Sequence, residues 1–439
     1  MTKVEELIKK EIQRQKDTLM MIPSENYASK AVREAVGSVL MNKYSEGYPY
    51  KRYYQGNKIA DEIESLTIEK AKKLFSIKDG AKVEHVNVQP YSGSPANSAV
   101  LFGLLEKGDK IMGLKLSSGG HLTHGHPDIT FSGKFFRSVQ FGTEDDGIID
   151  YDEVEKLAKK EKPKLLFIGT TAYPLILNWK KFGEIADLIG AILVADVSHV
   201  SGLILSGVYT SPVPFAHVVT TTTHKTLRGP RGAMIMVTKK GLNKDIDMGN
   251  KIDRAVFPGL QGGPHNNTTA GILQALTEAE DKLFKKYGEQ IVKNAIFLAE
   301  ELKKGGLTIV TGKTECHLVV VDLRPINLSG NVVAEALEYA GIVVNRNSVP
   351  NDSAPPFIPS GIRLGTPGVT TRGMKEKEMK TISKFILDVV DHVKGEKLPK
   401  DKDERIKFMK DFRNRLPKDK FLEDVASQVK MLNKRFPIL

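Results

Sequence analysis

Short apolar runs alternate with helix-like segments between residues 54 and 275, and this alternation is the strongest constraint on the fold. The runs are KIMGL at 110, KLLFIG at 164, AILVAD at 191, HVVTTTT at 217 and GAMIMV at 232. Amphipathic patterns such as YDEVEKLAKKEK and KKFGEIADLIG separate them. This alternation predicts βα units and a mostly parallel sheet. In such sheets, ligands bind beyond the carboxyl ends of the strands.

The chain has 439 residues, and its patterns predict three parts. Residues 1–53 combine a charged amphipathic helix with the Tyr-rich stretch NKYSEGYPYKRYYQGN, which predicts an arm lying on a partner subunit. Residues 54–275 would form a large domain around the parallel sheet. In residues 276–439, long helices surround predicted strands such as HLVVVDL and IVVNRN, and this combination predicts a smaller α+β domain. Its basic tail would be helical, with breaks at Pro399 and Pro417.

Composition narrows the cellular setting. The single cysteine, Cys316, excludes a disulfide within the chain and favours a reducing cytoplasm. The first residues, MTKVEELIKKEIQRQKD, lack the apolar segment of a signal peptide, and no run of 18 apolar residues predicts a membrane span. The net charge of +12 favours anionic ligands. Much of the excess lies after residue 393, so RNA binding by this tail is an alternative of a different class.

Lys225 and Asp196 each follow or end a predicted buried strand. Desolvation lowers the pKa of a lysine, so Lys225 could form a Schiff base with a carbonyl group. A carboxylate at Asp196 could pair with a pyridinium nitrogen, which is the partner that pyridoxal phosphate needs. His199 could then reach the phenolic oxygen of the ring. Taken singly, the lysine also fits a surface position and the aspartate a helix cap.

Two glycine-containing loops are candidates for binding a phosphate. YSGSPANSAVLFGLL places SGS at 92–94 before a helix, with Pro95 predicted at the first helical position. Free N–H groups at such a helix start bind anions. FPGLQGGPHN, with its glycine pair at 262–263, is a second open loop. Ordinary turns use the same residues, so neither loop is specific by itself.

Histidines cluster in GGHLTHGHPD, which holds His121, His124, His126 and Asp128. Their spacing would allow a zinc site. No second cluster supplies the remaining ligands, so we predict no metal. We expect His121 instead to stack on a cofactor ring.

Further motifs occur in one order from about residue 20 to 375. They are PSENYAS, NKYSEGYPYKRYYQG, VQPYSGSPAN, GGHLTHG, ADVSHVSGL, VVTTTTHKTLRGPRG, FPGLQGGP, NSVPND and SGIRLGTPG. Together they resemble the serine hydroxymethyltransferase family, whose members are fold-type I pyridoxal-phosphate enzymes. The resemblance implies an α/β fold like that of aspartate aminotransferase, with a mostly parallel sheet in the large domain and a smaller α+β C-terminal domain.

The resemblance also implies a role for individual residues. The cofactor would contact Lys225, Asp196, His199, His121, Ser92, Gly93, Ser94 and Thr222, and, across a dimer interface, Tyr44, Gly262 and Gly263. The substrate carboxylate would bind Arg363 with Ser24 beside it, Arg231 would order the site, and His224 would tune reaction specificity. Glu46 would be the acid/base group, with Tyr53 and Tyr54 beside it, all three from the neighbouring subunit. The folate would contact Leu116, Gly120, His121, Leu122, Glu46, Tyr53, Asn347, Pro355, Pro356 and Phe357.

The implied reaction converts L-serine and tetrahydrofolate reversibly into glycine, 5,10-methylenetetrahydrofolate and water, with pyridoxal 5′-phosphate held on Lys225. It would feed one-carbon metabolism and glycine synthesis, in a homodimer or a tetramer with shared active sites. Two other activities fit the same residues: a folate-independent aldolase of β-hydroxy amino acids and an α-methylserine hydroxymethyltransferase. Equal serine cleavage with and without tetrahydrofolate would favour the aldolase.

Overall fold

The computed structural model describes residues 1–355 and 357–438. Within these ranges the strands are β1 (Leu19–Met20), β2 (Gly47–Tyr48), β3 (Lys51–Arg52), β4 (Val83–Asn87), β5 (Lys110–Leu114), β6 (Arg137–Phe141), β7 (Leu165–Gly169), β8 (Ile192–Asp196), β9 (Val218–Thr222), β10 (Ala233–Thr238), β11 (Thr308–Ile309), β12 (Leu318–Asp322), β13 (Ile342–Val343), β14 (Asn345–Asn347) and β15 (Gly361–Gly365).

The α-helices of the same ranges are α1 (Lys3–Asp17), α2 (Lys30–Val36), α3 (Lys58–Phe75), α4 (Gly93–Leu104), α5 (Phe131–Phe135), α6 (Tyr151–Glu161), α7 (Trp179–Ile189), α8 (Ser201–Leu205), α9 (Lys239–Lys244), α10 (Met248–Arg254), α11 (Asn266–Ala279), α12 (Lys282–Lys304), α13 (Gly330–Tyr339), α14 (Pro367–Thr371), α15 (Glu376–His392), α16 (Lys402–Arg415) and α17 (Lys420–Arg435). No helix of these described ranges is long and apolar enough to cross a membrane.

A large sheet of seven strands confirms the predicted parallel sheet. Its order is β4-β10-β9-β8-β7-β5-β6, and β5 to β9 run parallel to their neighbours except where β9 meets β10. β10 is antiparallel to both β4 and β9. The carboxyl ends of β8 and β9 therefore lie at one edge of the sheet, where ligands are expected.

Both faces of this sheet are covered. On β7, Leu165 and Phe167 join one apolar cluster, whereas Leu166 and Ile168 join the other, because successive side chains of a strand point to opposite faces. All four side chains are at most 2% exposed. Burial on both sides explains why these strands read as continuous apolar runs rather than alternating ones.

A smaller antiparallel sheet lies in the C-terminal third, in the order β11-β12-β15-β14. The prediction of a strand at HLVVVDL is confirmed by β12. IVVNRN was expected to be one strand, and this is wrong: β13 pairs with β1, whereas β14 pairs with β15. The chain passes from one pairing to the other at Val344, so the segment contributes one strand to each of two sheets.

The N-terminal segment is attached to the C-terminal third. The predicted amphipathic helix is α1, and β1 runs parallel to β13. Arg372 donates to the carbonyl oxygens of Gln15 and Thr18, and Lys430 lies 3.0 Å from the carboxylate of Asp17. The division of the chain at residues 53 and 275 stays a prediction. The predicted helical tail is α16 and α17, separated by a short 3₁₀ turn at Leu416–Lys418 that contains Pro417.

Candidate active site

A cavity of about 520 Å³ opens at the carboxyl ends of the parallel strands. It brings together segments that are far apart in the sequence, because β8, β9, β15 and the start of α4 all end or begin beside it. The predicted site residues that line it are Ser24, Ser92, Gly93, Ser94, Leu116, His121, Leu122, Asp196, His199, Thr222, His224, Lys225, Arg231 and Arg363.

Lys225 lies three residues beyond the end of β9. β9 ends at Thr222, one residue earlier than predicted, and the Nζ atom of Lys225 donates to the hydroxyl of Thr222 at 2.6 Å. Burial lowers the pKa of Lys225 to about 8, with Arg231 and Arg363 adding to the effect and the charge of Asp196 opposing it. A substantial fraction of the amine is therefore neutral and nucleophilic near neutral pH.

Asp196 is the last residue of β8 and is held by three donors. Its Oδ2 atom accepts from Nε2 of His124 at 2.9 Å and from Nδ2 of Asn97 at 2.8 Å, and its Oδ1 accepts from the backbone N–H of Ser198 at 2.9 Å. Burial favours the neutral acid, but the hydrogen bond from His124 outweighs it and holds the pKa of Asp196 well below its usual range. The site thus keeps a buried, ionised carboxylate.

His121 and His124 lie side by side, with ring centroids 5.4 Å apart. Burial lowers the pKa of His121 to about 4, helped by the neighbouring charges of His124 and Lys225, so its ring is neutral. His126 contacts the carbonyl oxygen of Pro127 instead of the cavity. Within residues 1–355 and 357–438, no group of three or more potential ligand side chains forms a metal site.

His199 makes a contact that the sequence did not reveal. Its Nδ1 atom lies 3.1 Å from Nε2 of His317, and both rings are buried. Burial and nearby cations lower the pKa of His199 well below its usual range and that of His317 to about 3. Since both rings are neutral, one of these two nitrogens donates the hydrogen bond and the other accepts it. A lone histidine before β12 gave no signal for this pairing.

The 92–94 segment forms the start of α4. Ser92 is the N-cap and makes no side-chain cap, so the first N–H groups of the helix stay available. A Cβ atom at Gly93 would lie 2.6 Å from the side chain of Thr222, so only glycine fits there. The prediction of Pro95 at the first helical position is wrong: α4 begins at Gly93, which makes Pro95 the third helical residue. It still lies within the first turn, where its missing N–H has no intrahelical acceptor.

Arg363 projects from β15, whose register pairs it with Val320 on one side and Asn345 on the other. Its guanidinium donates to Oδ1 of Asn345 at 3.1 Å and to the carbonyl oxygen of Thr171. Burial lowers the pKa of Arg363 to about 10, so it stays charged at neutral pH. A buried guanidinium in a cavity is suited to a carboxylate ligand.

A second cavity of about 620 Å³ adjoins the first and shares four lining residues with it: Ser24, Glu25, His224 and Arg231. Burial lowers the pKa of His224 to about 3, with Lys225 and Arg231 adding to the effect. Burial also raises the pKa of Glu25, a residue of the PSENYAS motif whose position between the cavities the sequence did not indicate. His224 is therefore a neutral ring at the junction of the two cavities.

Another group of predicted residues lies outside this cavity. The hydroxyl of Tyr44 donates to Oε1 of Glu46 at 3.3 Å, the rings of Tyr44 and Tyr54 are 5.1 Å apart, and those of Tyr53 and Tyr54 are 5.2 Å apart. A Cβ atom at Gly263 would lie 3.3 Å from the ring of Tyr44, and one at Gly262 would lie 3.4 Å from Glu46. These residues form one surface cluster, which we call the tyrosine arm cluster: Tyr44, Glu46, Tyr53, Tyr54, Gly262 and Gly263.

Some of the residues predicted to contact folate line the main cavity, and others lie outside it. Leu116 and Leu122 line the cavity, each 37% exposed, and Gly120 lies against the backbone of Leu114. Asn347, Pro355 and Phe357 do not line it. Pro356 lies outside the described residues. The loop that follows β14 does approach the segment that contains Leu116, because Ser348 and Pro350 line a small cavity together with Ser117 and Ser118.

The geometry fits pyridoxal phosphate. A partly neutral lysine, an ionised buried carboxylate, a neutral imidazole and an open helix start surround one cavity, and Asp196 has acceptor capacity for the protonated nitrogen of a ring. The fold and site together define an α/β enzyme that uses this cofactor.

Comparison with known proteins supports this class and narrows it. Residues 2–386 match the family model described as serine hydroxymethyltransferase. The curated relative from Acidothermus cellulolyticus, named serine hydroxymethyltransferase, is 53% identical over 387 residues, covering 88% of this chain and 87% of its own. Proteins of the same name from Desulfotalea psychrophila and Sorangium cellulosum are 52% and 50% identical, covering 88% and 90% of this chain and the same shares of their own. The chain belongs to the serine hydroxymethyltransferase family.

Family membership confirms several predictions made from the sequence. The fold is that of fold-type I pyridoxal-phosphate transferases, and the activity is that of a serine hydroxymethyltransferase. The family depends on pyridoxal phosphate and uses tetrahydrofolate as co-substrate. None of these matches favours the aldolase or the α-methylserine transferase.

Proposed function

We propose that the 520 Å³ cavity is the active site and that Lys225 is the residue to which pyridoxal phosphate attaches. The observation that carries the proposal is the presence of a partly neutral lysine and an ionised buried aspartate in one cavity. Asp196 would pair with the ring nitrogen, His121 would stack on the ring and His199 would lie at its phenolic oxygen. The phosphate would bind at Ser92, Gly93 and Ser94, beside Thr222.

We propose that Arg363 and Ser24 bind the carboxylate of serine. When bound, pyridoxal phosphate supplies an electron sink for bonds broken at the α-carbon. Arg363 fixes the orientation of the amino acid through its guanidinium. His224 and Arg231 lie at the junction with the second cavity and would order the hydroxymethyl side of the substrate. Since His224 is neutral, it would act as a hydrogen-bonding group rather than as a cation.

We propose that the tyrosine arm cluster acts on the cavity of a partner subunit, in a homodimer. Glu46 would hold or move the proton of the departing hydroxyl, Tyr54 would lie beside it, and Tyr44 with the glycine pair would reach the phosphate. Exposure supports this proposal: Tyr44 and Tyr53 are 55% and 77% exposed in one chain, and grouped exposed aromatic side chains are typical of interaction surfaces. The apolar stripe of α1 is also uncovered, at Val4, Leu7, Ile8 and Ile12.

Folate would bind at the mouth of the cavity. Leu116, Gly120, His121 and Leu122 would contact it, together with Asn347, Pro355 and Phe357 of the loop that follows β14. Glu46 and Tyr53 of a partner would complete the site. Phe357 is 66% exposed, so its ring is accessible to a ligand. We also propose a cytoplasmic location, which the single unpaired thiol at Cys316 favours.

Replacing Arg363 with lysine tests the substrate site. A lysine cannot reproduce the planar, bidentate geometry of a guanidinium. We expect kcat/KM for serine to fall about 100-fold, corresponding to about 3 kcal/mol of lost charge-assisted hydrogen bonding. Steady-state kinetics on the purified holoenzyme measure the change. Arg346→Lys is the matched control, because Arg346 is an exposed arginine on the adjacent strand β14. An unchanged kcat/KM in Arg363→Lys would contradict the assignment.

The lowered pKa of Lys225 predicts how the cofactor-free protein reacts with pyridoxal phosphate at different pH values. Only the neutral amine attacks an aldehyde, and burial places its pKa at about 8. The attachment rate should therefore rise about tenfold per pH unit below pH 8 and level off above it. Borohydride trapping followed by peptide mass analysis measures attachment at Lys225. A rate that still rose steeply between pH 9 and 10 would show an ordinary surface lysine.

A further inference from the structure

The loop at residues 348–360 joins β14 to β15 and is organised by one carboxylate. Oδ1 of Asp352 accepts from the backbone N–H of Ala354 at 3.0 Å and from the hydroxyl of Ser360 at 2.7 Å. Its Oδ2 accepts from the backbone N–H of Ser360 at 2.9 Å and from that of Val349 at 3.4 Å. Asp352 therefore joins the start, the middle and the end of the loop.

The ends of this loop are fixed by the small sheet. Asn347 closes β14, Gly361 opens β15, and the two residues pair in register. A Cβ atom at Gly361 would lie 2.5 Å from the carbonyl oxygen of Val321, so the backbone approaches closely there. Between these points, no residue of the loop that the structure describes belongs to a strand or a helix. The hydrogen bonds of Asp352 therefore supply much of what defines its shape.

The loop also contacts the other segments that surround the cavity mouth. Nδ2 of Asn351 donates to Oδ1 of Asp145, and Ser348 and Pro350 line the small cavity next to Ser117. Beyond Asp352 the loop carries Pro355 and Phe357, the residues proposed above to contact folate. Neither side chain lines the main cavity, so their positions depend on the loop and its contacts, which include a hydrogen bond from Nδ2 of Asn331 to the carbonyl oxygen of Phe357 at 3.4 Å.

We propose that Asp352 is a positioning residue for the pterin co-substrate, because its carboxylate fixes the loop that presents Pro355 and Phe357. It does not line the cavity with Lys225 and Arg363, so it leaves cofactor and amino-acid binding to other residues. This inference rests on the proposed folate role of the loop.

The test compares two substrates on the holoenzyme. Asp352→Ala should raise the KM for tetrahydrofolate at least about tenfold, since it removes four hydrogen bonds to a charged acceptor. The KM for serine and the Kd for glycine measured without folate should stay within about twofold, because Arg363 and Ser24 are unaffected. Asp352→Asn keeps one acceptor oxygen for Ala354 and Ser360 and should give a smaller increase.

A control variant and a comparison of two KM values separate a positioning role from general damage. Asp401→Ala removes an exposed aspartate that also caps two backbone N–H groups, at the start of α16, and should leave the KM for tetrahydrofolate unchanged. Equal increases in the KM values for serine and tetrahydrofolate in Asp352→Ala would overturn the proposal.

The KM for tetrahydrofolate is also measured in Asn347→Ala and Phe357→Ala. These variants separate the positioning role of Asp352 from the folate role of the loop. If they raise the KM for tetrahydrofolate and both Asp352 variants do not, the positioning role is wrong while the folate site stands. If none of these variants changes that KM, the folate role of the loop is wrong as well.

Discussion

Replacing Lys225 with alanine will abolish serine turnover while leaving the fold intact. We expect kcat to fall by at least about 10³-fold, because the proposed attachment of the cofactor depends on this amine. The side chain donates one hydrogen bond, to the hydroxyl of Thr222, and lines the cavity, so stability should change little. Turnover of serine with tetrahydrofolate measures the first effect, and thermal unfolding measures the second.

A control for this variant lies on the neighbouring strand. Lys239 follows β10 as Lys225 follows β9, but β10 is antiparallel to β9 and brings Lys239 to the opposite edge of the sheet. Lys239→Ala should retain wild-type kcat. Borohydride should trap pyridoxal phosphate on wild-type protein and not on Lys225→Ala. Turnover of the Lys225 variant at a rate near that of wild type would refute the assignment.

Mixing two inactive variants will restore activity if Glu46 acts across subunits. In a mixed dimer of Lys225→Ala and Glu46→Gln, one site has both defects and the other has both wild-type residues. After equal mixing and exchange of subunits, we expect about one quarter of wild-type activity, since half of the dimers are mixed and each has one intact site. Activity against mixing ratio, measured after reversible dissociation, gives the result.

The matched control pairs two residues of one cavity. Lys225 and Asp196 line the same cavity of the same chain, so mixing Lys225→Ala with Asp196→Asn should restore no activity. Recovery of activity in this second mixture would mean that a process other than subunit exchange restores it. Absence of rescue in the first mixture, with dimers demonstrated by sedimentation, would show that Glu46 serves the cavity of its own chain.

Local sequence patterns were sufficient for the central strands and the two residues at their ends. β7, β8 and β9 are buried on both faces, so their apolar runs are long and unbroken, and a charged residue that interrupts such a run is conspicuous. Lys225 and Asp196 stand out for this reason. The same logic found the SGS segment, because a helix start uses a limited set of residues.

Contacts between distant segments were not predictable in this way. His124 was considered for zinc, yet it holds Asp196, which is 72 positions further along the chain. His317 reaches His199 across 118 positions, and Asn97 reaches Asp196 across 99. Single polar residues follow no periodic pattern, so only the folded backbone shows which of them meet. The division of IVVNRN between two sheets was missed for a related reason, since β13 pairs with a strand near the N-terminus.

The pairing of β13 with β1 determines which residues of the cavity would move together if the two sheets moved relative to each other. β1 is bound to β13, and the N–H of Gly365, at the end of β15, donates to the carbonyl oxygen of Met21 at 2.7 Å. Ser24 and Arg363 are therefore attached to the same sheet, whereas Lys225 and Asp196 belong to the large one. Any hinge movement between the sheets would move this proposed carboxylate-binding pair as a unit. The distance between the guanidinium of Arg363 and the amine of Lys225 would then report how far the two sheets have closed on each other.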